Sequence, residues 1–233
     1  MKTRIEEMIK KLNSSEPREQ VEAVEQLVAS RSEDAVEPLI GLLHLCLGRW
    51  EKRFLTSSIV EALGKLGSKK AEEVLLKALD SNLLYVKKNA AEAIEKIVPT
   101  EAGMNKLVGI VKSDQPKEVK KDLVKALGKT KNKLAVSPLE EFYYRETDEK
   151  LRSEAIAALS KIPDVSSAEF LIQVLTDENP ETRSCAALAL GETRNRMGEE
   201  PLKRLLTDPV EKVRKSAVQA LGLIKALPKQ RWP

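Results

Sequence analysis

The chain has 233 residues, 40 basic against 36 acidic side chains, one histidine and only 3% aromatic residues. That length supplies one or two cores without staples, and a net charge of +4 is too small to mark a nucleic-acid protein. Two cysteines, Cys46 and Cys185, exclude a disulfide framework or a Cys-rich zinc site and fit a reducing cytoplasm.

The first predicted element is an amphipathic helix over about 3–12, with Ile5, Met8, Ile9 and Leu12 on one side. It lacks the apolar stretch of a signal peptide, and the longest uncharged run, Pro38–Gly48, is too short to span a bilayer. The expectation is a cytoplasmic chain with no membrane span, its N-terminal helix capping the first hairpin.

From there on the chain is a repeat. EALGKLG at Leu63, EAIEKI at Ile94, KALGKT at Leu127, AALSKI at Leu159, LALGET at Leu190 and QALGLI at Leu221 recur at spacings of 31 to 33 residues, the period of a repeat array. Alanine always precedes the anchor (Ala62, Ala93, Ala126, Ala158, Ala189, Ala220), an apolar residue stands four before it, and a basic residue seven before it from Lys87 onward. Apolar residues at i, i+3 and i+4 make one helical face, and alanine there lets two helices approach closely. Asn179-Pro and Asp208-Pro place a capping side chain ahead of a proline at the helix start. Each anchor is followed by a short turn and a second apolar-periodic helix with a core leucine: Leu39, Leu75, Leu107, Leu139, Leu171 and Leu202.

Helical hairpins of about 31 residues cannot bury both faces alone and must stack. The expected organisation is one solenoid over 1–233. It has a cap helix, repeats at about 15–48, 49–82, 83–115, 116–147, 148–179 and 180–209, and a terminal helix at about 210–226. The pattern Val-Arg/Lys, two residues, Ala, two residues, Ala-Leu-Gly, then a Leu-rich second helix ending near Asp, resembles the HEAT-like repeats of the phycobilisome-lyase type. The resemblance implies an all-α, right-handed α-solenoid (alpha-alpha superhelix) of the armadillo-like class, with about six hairpins plus a terminal helix. Function is not implied to the same degree, because such folds host many activities.

Asp114 and Lys120, Asp177 and Arg183, and Asp208 and Arg214 each stand six apart. A ladder of Asp–Arg/Lys contacts between repeats is the preferred reading; a phosphate-binding track is the alternative. Function is expected on the concave surface, which by the resemblance is lined by second helices. Its candidates are Gly41, His44, Lys77, Asp80, Lys112, Glu140, Glu141, Tyr144, Gln173, Lys203 and Arg204, running from apolar through acidic to basic. Such a graded groove suits an extended protein segment better than a nucleic-acid backbone, which wants one sign throughout.

No catalytic combination is expected. His44 and Cys46, two apart on a helix, point to different faces. There is no His-Glu pair of the deoxyhypusine hydroxylase kind and no Gly-rich phosphate loop, since Gly64, Gly128, Gly191 and Gly222 belong to Ala-Leu-Gly turns. The reading is a non-enzymatic protein-binding scaffold without metal or cofactor. A bilin-lyase-like activity with His44, Arg49, Trp50, Arg53 and Tyr144 around a pigment is the alternative, and nucleic-acid binding through the basic residues after Lys203 is a weaker one.

Two irregularities remain. With Glu25 in the anchor column, the first interval to Leu63 is about seven residues longer than the period, and the extra residues fall around Gly48–Phe54, lengthening either the helix ending at Cys46 or the one beginning at Trp50. Cys46 and Leu47 read as core; Trp50 and Phe54 read as a hydrophobic plug of the junction or as a partner contact rimmed by Arg49 and Arg53. At the other end, Val218 has no next repeat to meet, so the tail with Trp232 or another chain, a partner or a second copy, is expected to cover it.

Overall fold

A computed structural model describes residues 2–113 and 115–225. Among these residues there are fourteen α-helices and no strand. The chain divides into two compact units, Met1–Ala126 and Leu127–Pro233.

The first unit holds α1 (Lys2–Lys11), α2 (Pro17–Ser30), α3 (Val36–Cys46), α4 (Arg53–Leu66), α5 (Glu72–Ala78), α6 (Leu84–Ile97) and α7 (Glu101–Lys112), and α8 (Lys117–Lys129) carries the chain across the division. Ile5, Met8 and Leu12 of the first helix and its following turn are buried, and α1 packs on α2. Beyond it, α2, α4 and α6 pack in succession, with α3 and α5 flanking α4 and α6. The second unit continues with α9 (Val136–Arg145), α10 (Glu149–Leu159), α11 (Val165–Val174), α12 (Pro180–Thr193), α13 (Glu199–Arg204) and α14 (Glu211–Lys225). There α10, α12 and α14 succeed one another.

Local chemistry sets the helix bounds. Asn179 accepts a hydrogen bond from the Glu181 amide ahead of α12, Asp148 caps α10, Thr100 caps α7 and Asp164 caps α11. Four of the first helices, α2, α4, α8 and α12, are followed by a positive-φ residue, Arg31, Gly67, Lys131 and Arg194. Ser32, Asn132 and Asn195 then cap the short 3₁₀ turn that starts the second helix. Only Gly67 adopts this conformation without a Cβ penalty.

The anchor residues are all buried, as are the alanines before them and the six core leucines of the second helices. The anchor-column glycines lie inside the last turn of their helices rather than in turns. A Cβ on Gly64 would stand 2.6 Å from the Ala93 Cβ; on Gly128, 2.7 Å from the Ala158 Cα; on Gly191, 2.6 Å from the Ala220 Cα. The glycine of one hairpin therefore receives the alanine of the next. This is why both residue types recur with the period: helices in such contact cannot carry a larger group at either position.

In the first hairpin the anchor is Leu27, fully buried, and not Glu25, which is exposed. Arg31 caps α2 four residues after Leu27 as Gly67 caps α4 four residues after Leu63, which shortens the irregular interval to 36 residues. Neither neighbouring helix absorbs the extra residues. α3 stops at Cys46 and α4 has the same 14 residues as α2; the insertion is a turn at Gly48 (φ 80°) followed by a 3₁₀ turn, Trp50–Lys52.

Candidate functional site

The insertion is tied down by buried polar contacts. The Thr56 hydroxyl lies 3.0 Å from the Lys52 carbonyl and 3.4 Å from that of Cys46, Lys52 Nζ donates to Gln20 Oε1 (3.4 Å), and Gln20 donates to the Leu12 carbonyl (2.8 Å). These contacts join the inserted turn to the end of α3, to the start of α4 and to α2.

Against this junction lies an open cleft of about 640 Å³. One wall is the end of α3 and the inserted turn, with His44, Arg49 and Trp50; the other is the end of α5 and the following loop, with Lys77, Asp80 and Asn82. Lys77 is held by Glu73 at 3.0 Å, and this hydrogen bond and charge keep the Glu73 carboxyl below its ordinary range. Five sequence candidates, His44, Arg49, Trp50, Lys77 and Asp80, are thus brought together. Gly41 and Lys112 are exposed and do not line the cleft. Thr56 and the loop 81–83 are lining residues that the repeat columns did not single out, because columns locate helices and not the loops between them.

Trp50 and Phe54 are 64% and 67% exposed, so they do not plug the junction. The Arg53 guanidinium lies between them, its carbon 4.6 Å from the Trp50 ring centre and 4.5 Å from that of Phe54, and its Nη1 donates to the Trp50 carbonyl (3.2 Å). Leu55, Thr56 and Ile59 take the inward positions of α4. The rings are held outward in a cation–π sandwich, a contact readable from their i, i+3 and i+4 spacing.

Cys46 is buried, Leu47 only half-buried. Burial pushes the Cys46 thiol up, with Lys52 and Arg49 pulling it partly back, so the group remains a thiol rather than a nucleophilic thiolate. Among the described residues no three His, Cys, Asp or Glu side chains stand together as a metal site.

In the second unit the candidates are spread over separate contacts. Burial and the neighbouring Glu169 charge raise the Glu140 carboxyl, Glu141 pairs with Arg145 at 3.3 Å, and Lys203 pairs with Glu200 at 2.5 Å. Gln173 and Arg204 are exposed. Tyr144 is exposed and packs edge-on against Tyr143 (5.3 Å) and Phe170 (5.8 Å). Val218 is 61% exposed; Trp232 lies outside the described residues.

The charge ladder exists with a different register. Asp177 and Asp208 do not give their carboxylates to the arginines six residues on. Arg183 donates through Nη1 to the carbonyls of Asp177 (2.8 Å) and Glu178 (3.0 Å), and through Nε and Nη2 to the two oxygens of Asp208 (2.8 and 3.0 Å). Arg152 donates to Asp177 (2.8 Å). Each carboxylate thus meets the arginine of the preceding hairpin, twenty-five residues back, and also accepts from a loop amide two residues on, that of Asn179 or Val210. Asp114 of the third predicted pair lies outside the described residues. Arg183 is thus committed to structure through Nε, Nη1 and Nη2, and Arg152 through Nη2, which favours the structural reading of the ladder over a phosphate track.

A family model described as HEAT repeats matches residues 5–95, 55–127, 104–177 and 168–231. No curated protein matches significantly. Among solved structures, the complex of CpcE and CpcF of phycocyanin lyase from Nostoc sp. PCC7120 shares 21% identity over 96% of this chain and 94% of that one, with a TM-score of 0.57. A designed armadillo repeat protein in complex with the peptide (KR)4 shares 22% identity over 94% and 98%, with a TM-score of 0.53. Human deoxyhypusine hydroxylase shares 18% over 95% and 84%, with a TM-score of 0.49. No helix among the described residues is long and apolar enough to cross a membrane. The repeat fold supports a binding role. The chain belongs to the HEAT-repeat family.

Proposed function

We propose that this protein is a non-enzymatic adaptor that holds an extended segment of a partner protein, with the cleft beside the inserted turn as its principal grip. The observation that carries this reading is the outward-facing Trp50–Arg53–Phe54 sandwich beside a cleft lined by His44, Lys77 and Asp80. Exposed aromatic and arginine side chains at one spot are the composition of an interaction hot spot, and the mixed charges of the cleft would set the register of a bound segment. A designed repeat protein of the same fold was solved in complex with the peptide (KR)4, which supports peptide binding by such a fold and not the identity of the partner.

The test is affinity capture with mass spectrometry, comparing the wild-type chain with Trp50→Ala and Lys77→Glu at matched melting temperature. Proteins retained by the wild type and lost from both variants support the reading. An identical set on all three sinks it.

A second reading is handling of an acidic, apolar small molecule such as a bilin in the same cleft. Its volume of about 640 Å³ falls within the ~300–1,000 Å³ range of small-ligand sites, and Arg49, Lys77 and Trp50 offer charge and a flat ring. A spectral shift on mixing with a free bilin, lost in Trp50→Ala, would favour it; an unchanged bilin spectrum would dismiss it.

A further inference from the structure

Two columns that are buried in every earlier hairpin open at the C-terminal end, and a glycine contact made by three earlier hairpins is missing there. Val60, Ala91, Val124, Ile156 and Ala187 are all within 1% of full burial, whereas Val218 is 61% exposed. Tyr143 and Leu175 are buried, whereas Leu206, in the same column, is 39% exposed. Gly64, Gly128 and Gly191 each abut an alanine, whereas among the described residues nothing lies within 4 Å of a Cβ on Gly222.

The ladder breaks at the same place. Arg214 repeats half of the Arg183 arrangement, with Nη1 on the carbonyls of Asp208 (2.7 Å) and Pro209 (3.0 Å). That anchorage fixes its guanidinium plane. Among the described residues no carboxylate meets its Nε–Nη2 edge, the edge that in Arg183 holds both oxygens of Asp208.

We infer that the outer face of α14 is a docking surface for a helical-hairpin repeat of a partner protein. That repeat carries an Asp in the loop before its first helix and an Ala twelve residues further on. The spacing is that of Asp208 and Ala220, the pair that seats α14 on α12. The Asp takes the free edge of Arg214 as a bidentate pair, the Ala enters the slot at Gly222, and the helix between them covers Val218. Lys215 occupies the place of Ser184, which bonds Ser216 at 2.7 Å. An acidic or hydroxyl side chain eight residues after the partner's Asp therefore completes the contact.

A second copy is the poorer occupant in either orientation. A two-fold contact of this face with itself offers Arg214 no Asp of the required register, because Asp208 of each copy is already held by its own Arg183. A head-to-tail contact requires the outer face of α2, which α1 covers, and there Gln20 bonds the Leu12 carbonyl.

The experiment is a titration of the full chain with a labelled synthetic peptide of the sequence Asp208–Lys225, stapled on its polar face to hold the helix. The surface shares no residue with the cleft, so the variants here leave the cleft's own residues intact and the result is read independently of whether the cleft binds a partner. Saturable binding is expected, weakened by at least about tenfold with Gly222→Leu or Arg214→Gln in the chain, or with Asn for Asp in the peptide. Val218, Arg214 and Gly222 lie outside the core, and unchanged thermal melting of the variants separates lost docking from lost folding. No saturable binding, or binding indifferent to both Gly222→Leu and the peptide Asp, overturns the inference. A concentration-dependent dimer abolished by Val218→Asp also overturns it, since the face then belongs to a second copy.

Discussion

Arg183 and Asp208 stand twenty-five residues apart in the chain and meet through two parallel hydrogen bonds of 2.8 and 3.0 Å, the guanidinium edge matched to both carboxylate oxygens. Both side chains are largely buried, at 12% and 6% exposure, so neither is free to re-solvate if the other is removed. The same arginine holds two backbone carbonyls of the loop that starts α12, and one residue thus fixes a loop, a helix start and the next hairpin.

Arg183→Ala is expected to destabilise the chain by about 3 kcal/mol, the cost of leaving a buried charge unpaired, as measured by urea unfolding. It should leave binding at the cleft unchanged at temperatures where the chain is folded. Loss of partner binding at unchanged stability would instead make the ladder a recognition track.

The same pair predicts an acid limb. The Arg183 hydrogen bond, opposed by burial, holds the Asp208 carboxyl below its ordinary value of 3.8, so the folded chain binds fewer protons there than the unfolded chain. Its contribution is complete above about pH 4 and is lost as pH falls through the folded value. In Arg183→Ala this part of the acid dependence should flatten; an unchanged pH profile would refute the assignment.

At the alkaline end, Tyr143 is pushed up to about 12 by burial and by its hydrogen bond to Asp177. The folded state keeps the phenol proton longer than the unfolded state, whose value is 10.0. Stability from this group is therefore complete below pH 10 and lost as pH rises through about 12. Ultraviolet titration of phenolate should show one tyrosine ionising late, and Tyr143→Phe should remove that late step.

Gly191 and Gly222 offer a contrast between identical sequence contexts. Gly191→Ala should cost about 1–3 kcal/mol, because its Cβ meets the Ala220 backbone and cannot be relieved by a rotamer change. Gly222→Ala meets nothing and should stabilise α14 by roughly 0.5–1 kcal/mol through helix propensity. Equal effects by calorimetry would contradict the stacking account.

Trp50→Ala should change stability by less than about 0.5 kcal/mol, the usual size of an exposed substitution, since the side chain is 64% exposed and lies against the Arg53 guanidinium. A large drop in melting temperature would restore the reading of Trp50 as a junction plug.

The repeat columns by themselves determined the helices, the buried anchors, the core leucines and the exposure of Val218, because a period of about 31 residues states the same packing requirement six times over. A residue that fails in one hairpin is outvoted by the others. The inserted junction was misread for the same reason. With one instance there is no column to compare, and the helix phase that turns Leu55 and Ile59 inward, leaving Trp50 and Phe54 to solvent, is set by contacts with α2, α3 and α6. The register of the ladder was likewise out of reach of spacing alone. Six residues separate Asp177 from Arg183 in the chain, but Arg183 takes the Asp177 backbone carbonyl, and only the stacked hairpins decide which arginine meets the carboxylate. The cleft brings His44 near Lys77 and Asp80 through the packing of α3 against α5, a contact between residues more than thirty positions apart that depends on the insertion between them.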